Sequence, residues 1–256
     1  MTEWSEVIMR AVIRLELMKN IQDRGLVFWT LILPIIFTVL FISVFTSGQE
    51  GVVKEKIIIS IVPGYITMFV FFIMITMVDT FIKDLDNGMT ARLASTPLSP
   101  YSYLLGKWIP YIFIVFTQII ILFLFGKIVY DIPMVQPITI IILSGILAFT
   151  VTGLGLALAI LVKTFNMGLA ITQIISLGGA LLSGLWVPIH MMPNFFQSIS
   201  KFLPQFWVHQ AYQDAMTGGL SRHELLSSAT ILFAFVIIGF IIAIFQYPNF
   251  LKRARS

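Results

Sequence analysis

Six long apolar runs determine what this chain can fold into. Each is about 20 residues or longer, which is the length that an α-helix needs to cross the hydrocarbon core of a bilayer. The runs are continuously apolar, whereas strands of a membrane β-barrel alternate between apolar and polar residues. The sequence therefore predicts an all-α integral membrane protein with six transmembrane helices. The predicted spans are residues 26–46, 57–80, 104–125, 138–162, 167–187 and 226–247.

The amino-acid composition agrees with an outer surface that faces lipid. Hydrophobic residues make up 58% of the 256 residues, and charged residues make up only 11%. A soluble domain has about 25% charged residues, so this chain has too few to cover a water-exposed surface. Its net charge is +4, but the basic residues lie at the ends of apolar runs. That position favours contact with anionic membrane lipids, and no nucleic acid partner is expected.

The distribution of lysine and arginine predicts the orientation of the spans. Six crossings put both termini on one side of the membrane. The predicted segments on that side contain 11 of the 16 basic residues, although the segments on the opposite side have a similar total length. Because basic residues are retained on the cytoplasmic side, both termini are expected in the cytoplasm.

Residues 1–25 precede the first span and are predicted to form an amphipathic interfacial helix. Glu6, Arg10 and Arg14 are spaced by four residues, which places them on one helix face. Such a helix lies at the inner membrane interface, with its arginines at the lipid headgroups. The alternative is a helix that docks on the protein. The apolar residues at helical spacing are Trp4, Val7, Ile8, Ala11, Leu15 and Met18.

A row of small residues marks the fifth span. Small side chains at intervals of four let helix backbones approach closely. We therefore expect this face to pack against another helix, within the chain or between subunits. A substrate path lined by small residues is the alternative. The row consists of Gly168, Thr172, Ser176, Ala180 and Gly184.

The segment 188–225 lies opposite the termini and is unusually aromatic. Pro193-Asn194 is typical of a helix start, and Pro204 is expected to end that helix. A second helix is predicted over about 205–216, ended by Gly218-Gly219. Because backbone at membrane depth must be helical or covered by protein, both short helices are expected in the outer leaflet.

The sequence predicts no catalytic residue, no metal site and no cofactor bound by this chain. No charged residue lies near the centre of a predicted span, which disfavours a proton- or ion-driven carrier. The nucleotide-binding pattern GxxxxGK[ST] is missing, so the chain is not expected to hydrolyse ATP. The chain has no cysteine. Two glutamines, Gln118 and Gln173, lie inside spans and should face either protein or a substrate path.

Two sets of residues resemble the permease subunits of type-2 ABC exporters, the ABC-2 family. Residues 84–99 read DLDNGMTARLASTPLS, and residues 105–107, which read LGK, follow at the next span. The second set, before the last span, is SGLWVP at 183–188, MP at 192–193, FLP at 202–204 and WVHQAY at 207–212. The resemblance covers the whole chain and makes residues 1–256 one ABC-2 transmembrane domain. Relatives often have Glu and Arg where this chain has Asp84, Asp86 and Asn87.

The resemblance implies a bacterial plasma-membrane permease that two separate ABC ATPase subunits drive. ATP and Mg²⁺ would bind those ATPases, and the permease would pair with a second copy or a homologous permease. Residues 81–100 would form the cytoplasmic coupling loop, although a solvated turn that starts a helix is the alternative. The residues assigned to ATPase contact are Asp86, Asn87, Gly88, Thr90 and Arg92. Those assigned to the substrate path or outer gate are Gln118, Gln173, Trp186, Phe195, Phe196, Phe202, Phe206 and Trp207.

The expected function is export of a hydrophobic or amphiphilic compound, such as an antibiotic, peptide or lipid. Within the same family, the alternative is export of a lipid-linked glycan or teichoic-acid polymer. From a different class, the alternative is an ATP-independent channel or a membrane scaffold.

Overall fold

The computed structural model describes residues 3–95 and 99–254, and these residues form helices, turns and loops without any strand. Thr96, Pro97 and Leu98 of the first motif lie outside the described residues, as do the side chains of Trp4, Glu6, Val7 and Ile8. Six helices are long and apolar enough to cross a membrane, which confirms the predicted all-α architecture. Spans one to six are Arg24–Phe45, Gly51–Asp86, Tyr101–Tyr130, Pro137–Leu161, Phe165–Leu182 and Arg222–Arg253.

Spans two and four form the centre of the bundle. In their most apolar stretches 78% and 72% of the residues are buried, compared with 22–33% in the other four spans. A membrane helix with apolar residues on every side is equally suited to lipid and to protein contact, so composition alone does not identify the central helices. Packing places spans two and four inside and leaves spans one, three, five and six at the periphery.

Spans four and six touch through their backbones. A Cβ atom added at Gly239 of span six would lie 2.5 Å from the carbonyl oxygen of Gly153 in span four. Neither residue has a side chain, so the two helices approach more closely than larger residues would allow. This is the most extensive contact between any two spans.

The row of small residues in span five faces span two for most of its length. Gly168, Thr172, Ser176 and Ala180 are all buried, and a side chain at Gly168 would overlap Val78 of span two. The prediction for Gly184 was wrong, because the helix ends at Leu182. Gly184 has a positive φ of 79°, and the next amide donates a hydrogen bond to the carbonyl oxygen of Ala180. Gly184 therefore terminates the helix, a role that suits glycine because it has no Cβ.

The segment between spans five and six contains two short helices, Asn194–Ser200 and Pro204–Thr217. The second of these packs into the bundle. Its Tyr212 is fully buried, and the Tyr212 hydroxyl lies 3.0 Å from Ser144 Oγ of span four. His209 Nε2 lies 3.2 Å from the carbonyl oxygen of Ser60 in span two. The side of the membrane that holds these helices is called the far side below, and the other is called the termini side.

The N-terminal helix, Glu3–Gln22, packs on span three. A Cβ atom at Gly106 of span three would lie 2.9 Å from the Val12 side chain. The face that docks on the protein contains Val12, Glu16 and Asn20, all buried. Arg10 and Arg14 are exposed on the other side of the helix, together with Leu15 and Met18. The residues that the sequence pattern grouped as an apolar face thus include three that the protein leaves exposed, Ala11, Leu15 and Met18.

The contact between spans four and six predicts the effect of a single methyl group. Gly239→Ala should lower the free energy of unfolding by about 1–3 kcal/mol, because the new Cβ must push two backbones apart. Gly145→Ala in span four is the matched control, since no atom lies within 4 Å of the added Cβ. Thermal unfolding in detergent measures both. Equal melting temperatures for the two variants would contradict the tight contact.

Candidate functional site

Four charged side chains meet at the termini side, and we call them the charge cluster: Glu16, Lys19, Asp84 and Lys107. Lys107 is at its centre, with a side chain that is 0% exposed. Its ammonium donates a hydrogen bond of 2.7 Å to Glu16 Oε1 and another to Asp84 Oδ2. The ammonium also lies 5.5 Å from the centre of the Phe81 ring.

Lys19 completes the cluster from its edge. Its ammonium lies 3.3 Å from Asp84 Oδ1 and 3.4 Å from Glu16 Oε1, and the side chain is 40% exposed. Two ammonium groups therefore face two carboxylates, and the formal charges sum to zero. Buried charges are tolerated only in such paired and hydrogen-bonded arrangements.

The charge cluster joins three separate segments of the chain. Glu16 and Lys19 come from the N-terminal helix, Asp84 from the end of span two, and Lys107 from the beginning of span three. Asp84 lies two residues before Asp86, where the connection between spans two and three begins. The cluster therefore fixes both ends of that connection relative to each other and to the N-terminal helix.

The connection itself turns sharply at Gly88. Span two ends at Asp86, and Gly88 has a positive φ of 67°, a conformation that favours glycine. A short helix, Met89–Ala94, follows. Asp86, Asn87 and Arg92 are exposed. Together they form a polar surface on the termini side.

Thr90 does not belong to that surface. It was assigned to the ATPase contact together with Asp86, Asn87, Gly88 and Arg92, but it is only 1% exposed. The short helix packs against span six and turns Thr90 inward. The same helix directs Arg92, two positions later, towards the outside.

An aromatic cavity of about 250 Å³ lies between spans one, two and five. It contains one of the predicted gate residues, Trp186, which is 40% exposed. Tyr65 and Phe69 of span two are almost fully buried in its wall, with ring centres 6.4 Å apart. Among the described residues, no charged side chain lines it. The lining residues are Trp29, Leu33, Phe37, Phe41, Tyr65, Met68, Phe69, Phe72, Leu177 and Trp186.

The other predicted gate aromatics lie on the two short far-side helices or, for Phe202, in the turn between them, and they do not line this cavity. Phe195 and Phe202 are 69% and 79% exposed. Phe196 contacts Phe195, with ring centres 5.6 Å apart. Phe206 contacts Trp207, whose indole N–H donates to the carbonyl oxygen of Lys201 at 2.8 Å. The structure thus separates Trp186 from the five aromatics that the sequence grouped with it.

The two glutamines inside spans have different surroundings. Gln173 of span five is exposed at the surface of the bundle. Gln118 of span three is only 2% exposed and lines a second cavity, against span one and the N-terminal helix. Neither glutamine lines the aromatic cavity.

The charge cluster was not predicted from the sequence. Gly106-Lys107 belongs to a family-like motif, and Asp84 is one of the departures from the family pattern. One signal was available, because Lys107 lies inside an apolar run and a lysine in that position needs a partner. The partners were not identifiable, since Asp84 and Glu16 are 23 and 91 residues away in the sequence.

Metal binding has no candidate site in the part of the chain that the structure describes. No three His, Asp or Glu side chains there lie close enough to hold an ion. The charge cluster has two carboxylates, but ammonium groups already occupy the space between them.

Comparisons with known proteins agree on one family. A family model described as "ABC-2 type transporter" matches residues 9–217. The chain is 29% identical over 177 residues to the linearmycin resistance permease protein LnrN of Bacillus subtilis, which is 69% of this chain but 46% of the relative. It is 27% identical over 216 residues to the putative transport permease YvfS of the same organism, covering 80% and 83% of the two chains. ABC transporter G family member 20 of Dictyostelium discoideum is 24% identical over 185 residues, and the match covers 71% of this chain and 25% of that protein.

The burial of the charge cluster predicts a large effect of removing its central cation. Lys107→Met should lower the free energy of unfolding by about 3–5 kcal/mol, because Glu16 and Asp84 then remain buried without a full counter-charge. Adding Glu16→Gln and Asp84→Asn to that variant should recover much of the loss. Thermal unfolding in detergent measures the stability of the wild type, of Lys107→Met and of the variant with all three substitutions.

The matched control for this experiment is Lys127→Met. Lys127 also pairs with an aspartate, Asp131, at 2.6 Å, but the two side chains are 45% and 90% exposed. An exposed pair contributes about 0–1 kcal/mol, so the control should unfold almost like the wild type. Similar losses for Lys107→Met and Lys127→Met would contradict a special role of the charge cluster.

Proposed function

Because the chain belongs to the ABC-2 type transporter family, whose model matches most of its length, we propose that it is the membrane subunit of an ATP-driven exporter of hydrophobic or amphiphilic compounds. The aromatic cavity is the observation on which this proposal rests. Aromatic side chains and the absence of charge among the described lining residues suit an apolar compound.

The dimensions of the cavity favour a site shared with another subunit. Its volume of about 250 Å³ lies just below the roughly 300–1,000 Å³ of sites that enclose a drug-sized ligand. Phe37 and Trp29 of its wall are 38% and 59% exposed. A second permease facing this wall would add the missing enclosure, which is why we include a permease dimer in the proposal.

Similarity to LnrN supports an antibiotic-like cargo. The name of that relative refers to resistance to linearmycin. The chain spans less than half of the length of LnrN, so the cargo of this chain is a proposal. An apolar aromatic cavity is compatible with a compound that dissolves in the membrane.

We assign ATP hydrolysis to separate ABC ATPase subunits, with ATP and Mg²⁺ bound there. Membrane subunits of this family are generally not ATPases themselves. The termini side would be cytoplasmic because it contains most of the basic residues. Asp86, Asn87 and Arg92 would then form the contact with the ATPase, since they are exposed on the connection between spans two and three.

The charge cluster gives this contact a mechanical consequence. A push on the connection would act on spans two and three together, because Asp84 and Lys107 are bound to each other. The N-terminal helix would follow through Glu16. Span two forms part of the wall of the aromatic cavity, so the same movement could change how the cavity opens between two states of the transporter.

The alternative functions have less support from these features. A channel needs rings of polar or charged groups along its pore, and a polar polymer needs hydrogen-bonding groups along its path. The aromatic cavity has neither.

Loss of the exposed cation on the connection should weaken ATPase binding. Arg92→Glu reverses the charge without touching the buried cluster, and we expect recovery of the ATPase in a detergent pull-down to fall by at least about tenfold. Lys54→Glu is the control, because Lys54 is also exposed but lies on the far side. Normal recovery with Arg92→Glu would contradict the assignment of the contact.

Removal of an aromatic ring from the cavity should weaken the response to cargo. In proteoliposomes that contain the permease and its ATPase, we expect linearmycin to stimulate ATP hydrolysis. Phe37→Ala should require a roughly tenfold or higher concentration, since the lost ring contributes apolar contact area. Phe245→Ala is the control, because Phe245 is 77% exposed on span six and does not line the cavity. If Phe37→Ala and Phe245→Ala both respond to the same linearmycin concentration as the wild type, the result would count against this cavity as the cargo site.

A further inference from the structure

A second cavity, of about 360 Å³, lies between span one, span three and the N-terminal helix, and it shares no lining residue with the aromatic cavity. Its walls come from the end of the N-terminal helix, the first turns of span one and the middle of span three. The volume falls within the range of sites that take small ligands. The lining residues are Leu17, Asn20, Ile21, Leu26, Val27, Thr30, Leu31, Phe113, Ile114, Thr117, Gln118 and Ile121.

The cavity contains a buried amide that the protein leaves unpaired. Gln118 is 2% exposed, and neither its Nε2 nor its Oε1 has a hydrogen-bond partner among the described residues. Gln118 lies eleven residues beyond Lys107 on the same helix, which is about 16 Å farther along the axis. At that depth an unpaired amide is unfavourable, so a partner that enters the cavity would stabilise it.

The rest of the lining limits the chemistry of that partner. No Lys, Arg, His, Asp or Glu of the described residues lines the cavity, so an ionised phosphate or ammonium group would have no counter-charge from them. The Thr30 hydroxyl donates to the carbonyl oxygen of Leu26 at 2.7 Å, and its oxygen can still accept a hydrogen bond. Apolar side chains supply most of the remaining wall.

We propose that this cavity binds an uncharged amphiphile, with one apolar chain along spans one and three and a hydroxyl or amide group at Gln118. Such a group both donates and accepts, and therefore satisfies both polar atoms of the Gln118 side chain. The apolar chain of the amphiphile reaches the cavity from the bilayer, since the lining residues Phe113 and Ile21 are 62% and 76% exposed. This site does not overlap the aromatic cavity and does not depend on the proposed transport.

Photolabelling of the purified permease in nanodiscs tests the site. The probe is dodecan-1-ol that has a diazirine in its chain and a terminal alkyne, and mass spectrometry of the digested protein locates the label. We expect labels within residues 17–31 and 113–121. Dodecyl phosphate with the same diazirine is the matched charged probe, and it should label these segments at least about fivefold less. Equal labelling by both probes would overturn the proposal.

Variants of Gln118 test the role of the amide. Gln118→Leu should reduce labelling by the alcohol by about three- to tenfold, which corresponds to the loss of one or two hydrogen bonds. Gln118→Asn, which retains an amide on a shorter side chain, should keep part of the labelling. Gln173→Leu makes the same change in an exposed position of span five and should leave labelling of this cavity unchanged. Equal labelling of the wild type and a folded Gln118→Leu variant would disprove the site.

A second variant, which fills the cavity with a larger side chain, tests the proposal if Gln118→Leu does not fold. Leu31→Trp leaves the amide in place but adds volume to the cavity wall, and it should abolish the label within residues 113–121. Retention of that label in folded Leu31→Trp protein would contradict binding inside the cavity.

Competition then identifies the source of the amphiphile. Displacement of the probe by 1,2-dioleoylglycerol would support a neutral lipid of the bilayer as the occupant. Displacement by linearmycin without displacement by dioleoylglycerol would support the cargo. Displacement by phosphatidylglycerol at the same concentration would overturn the proposal, because the cavity has no group to pair with a phosphate.

Discussion

The burial of Lys107 is the constraint on which the termini side of this protein depends. A fully buried ammonium is stable only if carboxylates approach it, and the chain supplies Glu16 and Asp84 from two different helices. The ion pair of Lys107 with Glu16 holds the N-terminal helix on span three. The ion pair of Lys107 with Asp84 holds the end of span two beside the start of span three. The exposed Asp86 and Arg92 owe their positions to this arrangement, because the connection between the spans begins two residues after Asp84. The surface proposed for the ATPase is thus built outward from a buried cation.

The six spans and the family were predictable from sequence because both depend on local information. Length and continuity of apolar residues identify a membrane helix, and the motifs at 84–107 and 183–212 are contiguous in the chain. The charge cluster was not predictable, since its partners are far apart in sequence. Gly184 and Thr90 show a second limit. A spacing of four residues does not reveal where a helix ends, and a motif does not reveal which of its residues turn inward.

Span one lines two cavities that differ in chemistry. The aromatic cavity has rings on most of its wall, whereas the cavity at Gln118 is mainly aliphatic, and both polar atoms of the Gln118 amide are unpaired among the described residues. Only 22% of the most apolar stretch of span one is buried, so few contacts hold this helix to the bundle. A compound bound in either cavity would add contacts to span one that the bundle itself does not provide. Spans four and six, by contrast, are held by close contact, because Gly153 and Gly239 bring their backbones together.

The separation of the charge cluster in sequence has a consequence for biosynthesis. The ribosome adds Lys107 91 residues after Glu16, which at about 5–20 residues per second is roughly 5–18 s later. During that interval Glu16 has no buried ammonium to bind, and water or lipid headgroups must solvate it. The N-terminal helix therefore emerges first but docks only after span three has been inserted. The segment that is synthesised first thus reaches its final position only after spans one to three have been made.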